Sequence, residues 1–598
     1  MGVGFATDLS CRHNVTFIDM VTARTGERFP AGVKNFVKSN SSLLPRCLPS
    51  RSGVMRAGAK SVLVRTGHLA YRPSSEVPRA ERAQQSPPLE LELKLDVTAD
   101  DIETVRNHPS FRHRLKKLGV KRELVSVYLD TKDRALRRHA FSFRLRRDGD
   151  RLTQTIKGMR RGVLERAEWE TPYRTGDRDH HGSMEALFEQ LSDQKFPTAL
   201  KAIFKTKIER TTYRVGGIEV ALDKGRVIAG RRFAPVHEIE LELKDGDRAA
   251  LFALAREISK IVPTEISVKS KSERGYDLLE GGKPRAIMAT ETVLPPSVTA
   301  AEAFQIVCNS CLCQLIANKA GILASVSEAL HQMRVAIRRL QAAMKLFSEI
   351  ASGRPAEHIA KELKWIVAEL ALARELDVFL SEVLVPLKKK YPRHINVAAL
   401  HRACLQLRKK EYQRANAMFG SERYRMFLLA AAEWTEAGDW QTKPGDKSRP
   451  KRQQRTRDVA AEELSALRKK MKKGRRMEEL KRRSLHKLRL RAKRMRYVIE
   501  FTESVFGDGQ NSKRIDSALT SLKCLQSNLG ALNDIAAQKG IFDRIAAMPA
   551  NDPKKRQQLD PSVAARLIFE NQKRRMRKLL KKSVEAYDQF ERMKPFWT

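Results

Sequence analysis

Cysteine is scarce in this chain. Seven in 598 residues, without paired spacings, exclude a disulfide framework and point to a reducing, cytoplasmic setting. Cys308, Cys311 and Cys313 cluster in an apolar run, but no second Cys or His pair at a zinc-like spacing accompanies them, so they read as buried core thiols. Aromatics make up only 6% of residues and no base-reading motif is recognisable, which disfavours nucleic acid as a partner. No uninterrupted apolar stretch of ~18 residues occurs, so no membrane span is expected. Acidic residues are also short, 70 against 115 Lys and Arg, for a formal charge of +45. The imbalance is uneven, because residues 286–598 hold 61 basic residues against 33 acidic ones. Such a field calls for a polyanion; nucleic acid is the usual one, yet any phosphate polymer satisfies the same electrostatics.

The chain divides by composition. Residues 1–87 are rich in Arg, Ser, Gly and Pro and lack periodicity, as a disordered or transit-like leader does. From 88 to 285 short alternating strands are separated by Gly and Asp turns, with helical inserts near Met184–Leu191 and Arg248–Ile261. A Pro-containing linker follows at 286–297. Residues 298–598 read as long amphipathic helices, interrupted by a polar stretch near Gly438–Asp458. The fold class is therefore α+β and multidomain, a β-rich unit followed by an all-α bundle.

In the run Leu89-Glu-Leu-Glu-Leu-Lys-Leu95, Glu90, Glu92 and Lys94 fall on one face and four leucines on the other, because strand side chains alternate. Alone, this is an amphipathic strand with a solvated face. The polarity recurs, however. Arg144 and Arg146, then Thr153, Thr155 and Lys157, then Arg166, Glu168 and Glu170, then Arg210, Thr212 and Arg214, and finally Glu238, Glu240, Glu242 and Lys244 all alternate with apolar residues. A flat sheet with its ionic side in water accounts for this. Closure into a barrel with the ionic faces inward accounts for it too, giving an acidic wall suited to divalent cations and a basic wall suited to phosphate. An unpaired charge buried there would cost several kcal/mol, so counter-ions, metal or phosphate would have to fill the lumen.

Glu90-Leu-Glu92-Leu-Lys94, Tyr128-Leu-Asp130-Thr131, Phe143-Arg-Leu-Arg146, Thr155-Ile-Lys157-Gly158, Arg166-Ala-Glu168-Trp-Glu170, Glu238-Ile-Glu240-Leu-Glu242 and Ser270-Lys271-Ser-Glu-Arg274-Gly-Tyr276 together resemble the CYTH domain of the triphosphate tunnel metalloenzymes. The resemblance implies an eight-stranded antiparallel tunnel acting on a triphosphate with Mg2+ or Mn2+. It implies metal binding at Glu90, Glu92, Glu240 and Glu242, a catalytic set of Glu90, Glu92, Lys94, Glu168 and Glu170, and a triphosphate cradle of Lys94, Arg144, Arg146, Lys157, Arg166, Arg210 and Lys271. Phosphoryl transfer relies on positioning and charge neutralisation, so no Ser or Cys nucleophile is needed. Two departures matter. Class IV adenylate cyclases of the superfamily carry a His-Phe pair where this chain has Gln84-Gln-Ser-Pro-Pro88, which disfavours cyclase activity. Lys207 lies one residue out of phase with the family's Lys-x-Arg element.

The helical part contains an internal duplication. His331-Gln-Met-Arg334-Val-Ala-Ile-Arg338-Arg339 returns as His486-Lys-Leu-Arg489-Leu-Arg-Ala-Lys493-Arg494, and Glu375-Leu-Asp377 as Leu532-Asn533-Asp534 at nearly the same offset. A basic helix face is ordinarily solvated, but a repeated His, where Lys would solvate as well, suits a phosphate or an acid. Asp377 and Asp534 either fix such a base or pair within the bundle. These helices resemble the CHAD domain, which commonly follows CYTH and is associated with inorganic polyphosphate. That resemblance implies polyphosphate contacts at His331, Arg334, Arg338, Arg339, His486, Arg489, Lys493 and Arg494. The block Arg468–Arg483 would extend the track or form a polyanion-binding arm.

The leading expectation is a metal-dependent inorganic triphosphatase, converting tripolyphosphate to pyrophosphate and phosphate, whose helical domain binds polyphosphate, in the cytoplasm and on polyphosphate granules. The alternative is a non-catalytic polyphosphate-binding protein. Nucleoside or thiamine triphosphatase activity and nucleic-acid binding rank behind both.

Overall fold

The computed structural model describes residues 89–112, 119–173, 199–438, 440, 449–507, 509–546 and 561–598. The leader expected over 1–87 and the insert expected near Met184–Leu191 lie outside the described residues, as do residues 439 and 441–448 of the polar stretch after Gly438. Strands β1 (Leu89–Asp96), β2 (Val120–Asp130), β3 (Ser142–Asp148), β4 (Arg151–Arg160), β5 (Glu165–Pro172), β6 (Lys201–Val215), β7 (Ile218–Ala229) and β8 (Arg232–Leu243) pair antiparallel in the order β5-β4-β3-β2-β6-β7-β8-β1. Pairing of β1 with β5, in register Glu90 to Arg166, closes the eight strands into a barrel. A two-residue β9 (Glu265–Ile266) adds beside β1. Between the two arrangements that alternation allowed, closure is the one found.

The physical reason lies in the leucines. Leu93 and Leu95 are fully buried on the outside of the barrel, in one cluster with Val220, Leu222, Ile239 and Leu241. Helices α1 (Ala99–Asn107) and α2 (Arg248–Ile261) cover them with Ile102, Val105, Leu251, Phe252, Ala255 and Ile258. The ends of α2 match the sequence expectation. Asp247 caps its N-terminus, and the apolar residues recur at helical spacing. Helix α3 (Lys271–Leu279) starts at a Ser270–Glu273 capping box and lies against β6, β7 and β8. It approaches so closely that a Cβ at Gly275 would come within 2.3 Å of the Phe204 ring.

The remaining chain is helical. Its helices include α4 (Ala300–Ala317), α5 (Ser327–Leu346), α6 (Ala371–Phe379), α7 (Ile395–Gly420), α8 (Glu422–Ala437), α9 (Thr456–Met471), α10 (Arg482–Phe506), α11 (Gln510–Ala546) and α12 (Pro561–Arg592), with a further helix over Arg354–Glu369 between α5 and α6. Over Ala300–Leu323 the chain is long and apolar enough to cross a membrane by length and composition, but 61% of its most apolar 18-residue window is buried within the protein. Cys308 and Cys311 are buried there as core thiols, as expected.

Barrel and bundle share one core: the cluster that begins at Leu93 continues through Phe304, Ile337 and Phe427. Polar clamps reinforce the joint. Arg248 donates to Glu165 on β5 at 2.6 Å and to Glu436 on α8 at 2.9 Å. In the β4–β5 turn the Val163 amide donates to Asn309 of α4, beside Gly162 at φ 132°. The linker expected at 286–297 is strapped to the bundle, with Leu294 buried and bonded through both its amide and carbonyl to Ser504.

Truncation of Leu93 to Ala leaves a cavity between the barrel wall and α2, so a stability loss of about 2–5 kcal/mol is expected in chemical denaturation. A loss below about 0.5 kcal/mol would mean that the leucine face is not core.

Candidate functional site

Inside the barrel every strand except β2 contributes ionic side chains, and most are paired. Lys94 contacts Glu240, with Glu92 at 3.3 Å and Glu238 at 3.4 Å. Lys271, at the start of α3, reaches Asp223 at 2.7 Å and Glu240 at 2.8 Å and also touches Glu238. Arg210 forks onto Asp223 with two bonds of 2.7 Å and reaches Glu240 as well. Arg274 joins Asp96 at 2.6 Å to Glu238 at 3.4 Å. Across the lumen Lys157 bridges Glu90 at 2.8 Å and Glu168 at 2.5 Å, and Arg144 lies 3.3 Å from Glu168 and 3.7 Å from Glu170. Thr155 donates to Glu170 at 2.9 Å.

Burial alone would neutralise these groups; their neighbours reverse that. Burial pulls the Lys94 ammonium down, but Glu238, Glu240 and Glu92 together hold it well above its ordinary value. Against the desolvation that would raise it, Glu240 is held well below the usual carboxylate range by Lys271, Lys94 and Arg210. In the same way Glu168 is held at about 2 by Lys157 and Arg144. Glu238 goes the other way: burial lifts it, and the adjacent Glu240 adds to the rise.

Two lumen arginines stand apart. Arg146 is pushed down to about 10 by burial and by the Arg144 and Arg210 guanidiniums beside it, and its Nε donates to the Ser126 hydroxyl at 3.4 Å. Arg166 is lowered by burial and by Arg160, and its Nε donates to the Gly158 carbonyl. Among the described residues neither forms an ion pair with a carboxylate. An anion is what would relieve both.

Toward the N-terminal end of β8 the same inward parity turns apolar. Tyr128, Phe204, Ile208, Val227, Val236 and Tyr276 form a separate cluster against α3, and the Tyr276 hydroxyl donates to Asp130 at 2.6 Å. Asp130 also accepts the Thr131, Leu136 and Arg137 amides, so it is a structural cap.

Three carboxylates bring their oxygens within 4.8 Å of one another: Asp223, Glu238 and Glu240. Hard oxygen donors of this kind suit a divalent cation. Of the four expected metal ligands, Glu240 alone belongs to this triad. Glu92 joins it through Lys94, Glu90 is engaged by Lys157, and Glu242 pairs with Lys244 toward the other end of β8. Sequence reasoning missed Asp223 entirely, and Glu238 and Arg274 were absent from its site lists. On β7 Asp223 stands among Val220, Ala221 and Leu222 without a second acid two residues away, so no repeat marks it. Its parity with Glu219, and the Asp223–Glu238 register, could have found it. Lys207 projects from the outer face toward Glu123 at 3.4 Å and takes no part in the lumen.

In the helical part the duplicated helices α5 and α10 bring their basic faces together. Burial, then Arg374, Arg338 and Lys493, push the His331 imidazole down to about 4. Arg334 falls to about 10 through burial, Arg338 and Arg374, and its Nη1 donates to the Val367 carbonyl. Lys493 falls to about 6 through burial, Arg338 and Arg489, with Asp534 opposing. Among the described residues the buried Nε atoms of Arg334 and Arg489 have no hydrogen-bond partner. His486 meets Asn533 at 3.3 Å. Arg374, on α6, belongs to this cluster and was not foreseen.

The expectation for the residue eight places after the His of each repeat is corrected. Arg339 is 3% exposed, stacked on Phe501, and directed to Gln314 and Thr292 in the core. Arg494 turns to Glu463 at 2.7 Å. Seven residues return a helix to within about 20° of its start, whereas eight carry it about 80° past. Asp377 pairs with Arg408 at 2.6 Å and Tyr412 at 2.8 Å, so the two copies of the motif have diverged: Asp534 faces the bases and Asp377 does not.

Residues 88–276 match the CYTH domain family and residues 307–543 the CHAD domain family. An inorganic triphosphatase from Haemophilus influenzae is 32% identical over 162 residues, which is 26% of this chain and 45% of that relative. The chain thus spans less than half the length of that curated relative. Among solved structures, the CHAD domain from the plant Ricinus communis shares 24% identity over 50% of this chain and 97% of its own, with a TM-score of 0.42. A putative adenylyl cyclase from Hippeastrum, described as having a dominant triphosphatase activity, shares 16% identity over 32% of this chain and 96% of its own, with a TM-score of 0.25.

Replacing Asp223 by Asn removes the carboxylate on which Arg210 and Lys271 converge, leaving both cations to Glu240 and Glu238 in a buried site, so unfolding free energy is expected to fall by about 3–5 kcal/mol, read as a lower midpoint in chemical denaturation. Because Glu168 titrates at about 2 in the folded chain against an ordinary 4.5, its contribution is present above pH ~4.5 and lost as pH falls toward 2. Denaturation midpoints across that range test this; no decline attributable to Glu168, judged against Glu168→Gln, would refute it.

Proposed function

With a CYTH domain followed by a CHAD domain as the starting point, we propose that the barrel is a metal-dependent triphosphatase that hydrolyses inorganic triphosphate to pyrophosphate and phosphate, and that the helical face binds inorganic polyphosphate. The observation that carries the first part is the division of the lumen into matched pairs and unmatched cations. Among the described residues Arg146 and Arg166 lack carboxylate partners while six further bases are held by acids, which is the arrangement of a receptor waiting for a compact polyanion. The curated relative, an inorganic triphosphatase, supports the same substrate class.

A divalent cation, Mg2+ or Mn2+, would be held by acidic side chains of the β1 and β8 wall, Glu240 and Glu92 foremost, with Glu90, Glu242, Asp223 and Glu238 as the other acids of that region. When bound it would neutralise phosphate charge and acidify a water. The chain's own residues do the rest. Lys94, Lys271 and Arg210 exchange a carboxylate for a phosphate oxygen as substrate enters, so each cation already stands oriented and partly desolvated. Arg144, Arg146, Lys157 and Arg166 hold the opposite side of the triphosphate. Glu168 and Glu170 fix Arg144 and Lys157 in place. No side chain need form a covalent intermediate.

For the helical face, the carrying observation is the convergence of His331, Arg334, Arg338, Arg374, Arg489 and Lys493 with two buried guanidinium N–H groups unsatisfied. A chain of phosphates would satisfy those donors and relieve the mutual repulsion.

Phosphate release from tripolyphosphate, ATP and long polyphosphate should be metal-dependent and fastest with tripolyphosphate, and Glu90→Gln/Glu92→Gln should lower it by about 100-fold or more. Absence of turnover on all three would leave the binding-protein reading. Polyphosphate binding should also take up a proton at pH 7.5, since Lys493 sits at about 6 when free and rises beside phosphate. Affinity should therefore fall as pH rises above about 6. Calorimetry in buffers of differing ionisation enthalpy reads this uptake, and Lys493→Met should abolish it; an unchanged uptake would place the proton elsewhere.

A further inference from the structure

The basic face of α10 does not end at His486. Arg482 precedes His486 by four residues, Arg489 by seven and Lys493 by eleven, so all four lie along one side of the helix over about 16 Å. Exposure rises along this line. Lys493 is buried and Arg489 half-buried, while His486 and Arg482 are exposed.

Immediately before α10 the chain forms a 3-10 helix, Lys472–Glu479, with four cations in five positions: Lys472, Lys473, Arg475 and Arg476. All four are exposed, whereas Gly474 and Met477 are buried. Gly474 is pressed against α12 so tightly that a Cβ would meet the Tyr587 ring at 2.5 Å. The segment is thus pinned by its apolar side and presents its cations from a fixed backbone around a concavity of about 360 Å³, lined also by Glu479 and Leu480. Arg475 is paired with Glu591 at 2.6 Å. Among the described residues Lys472, Lys473 and Arg476 form no ion pair. Four cations in five successive positions repel one another, which is unfavourable unless an anion shares them.

We propose that Lys472–Arg476 and Arg482 form an outer landing site for inorganic polyphosphate, from which the polymer runs along α10 to the enclosed base cluster at Lys493. This rests on the polyphosphate reading of the helical face. The chemistry favours a flexible string of phosphates over nucleic acid: none of the six residues lining the concavity is aromatic, so bases would find no stacking surface. An excess of positive charge on a fixed turn, four cations against Glu478 and Glu479, also speeds capture of a diffusing polyanion.

The test compares binding of a short polyphosphate of about eight units and a long one of about a hundred, in chelator so that the tunnel does not turn over. Wild-type full-length chain should bind the long polymer more tightly per phosphate. The exposed triple variant Lys472→Gln/Lys473→Gln/Arg476→Gln should lose about tenfold in long-chain affinity and stay within about twofold for the short chain. Arg489→Gln/Lys493→Gln should weaken both. If the triple variant binds long polyphosphate as wild type does, the landing site is overturned while the helical face stands. Wild type binding neither length would instead overturn the polyphosphate reading itself. Loss of duplex-DNA affinity at matched phosphate, with long polyphosphate unaffected, would make the segment a nucleic-acid surface and overturn the proposal.

Discussion

The matched charge network inside the barrel is the constraint on which the rest of the structure depends. Asp223, Glu238 and Glu240 are buried with Lys94, Lys271 and Arg210 in direct contact, and each charge is tolerable only because another neutralises it. Turning the ionic faces inward puts the leucines outward, and an outward apolar face must be covered. Helices α1 and α2 do this first, and the bundle continues the same core. The second domain is thus part of what makes an ionic lumen tenable, since the apolar burial that offsets its desolvation lies on the outside of the wall.

Two kinds of electrostatics coexist in the chain. In the barrel, acids and bases are interleaved, so most groups keep their charge and the unmatched Arg146 and Arg166 stand out. On the helical face the bases are gathered with few acids, and the chain answers by depressing His331, Arg334 and Lys493. The first arrangement suits a small, highly charged substrate whose place is defined by complementary walls. The second suits a polymer, since repulsion among neighbouring cations is relieved by any phosphate that comes between them. Because α4 grips the β4–β5 turn through Asn309, the two are mechanically joined.

Much of this was legible beforehand. Strand alternation assigned Glu90, Glu92, Lys94, Arg144, Lys157, Glu168 and Glu240 to one face, and they do share the lumen. The helical insert expected near Arg248–Ile261 is α2. What escaped did so for definite reasons. Asp223 carries no repeat on its own strand and is a lumen residue only by its register with Glu238. Arg374 comes from a helix whose sequence shows no stripe. Arg339 and Arg494 share the motif with true face residues but lie about 80° away, where one finds the core and the other a carboxylate.

By itself, then, the sequence determined the two domains, the inward parity of the charged strands and the repeated basic helix, because those follow from periods of two and 3.6 residues that are written along the chain. Only the tertiary structure decided that the sheet closes, which acid answers which base, and which bases of a helix meet those of its duplicate. Closure and pairing depend on register between strands far apart in sequence, such as Glu90 opposite Arg166 and Asp223 opposite Glu238, and no local pattern carries that information.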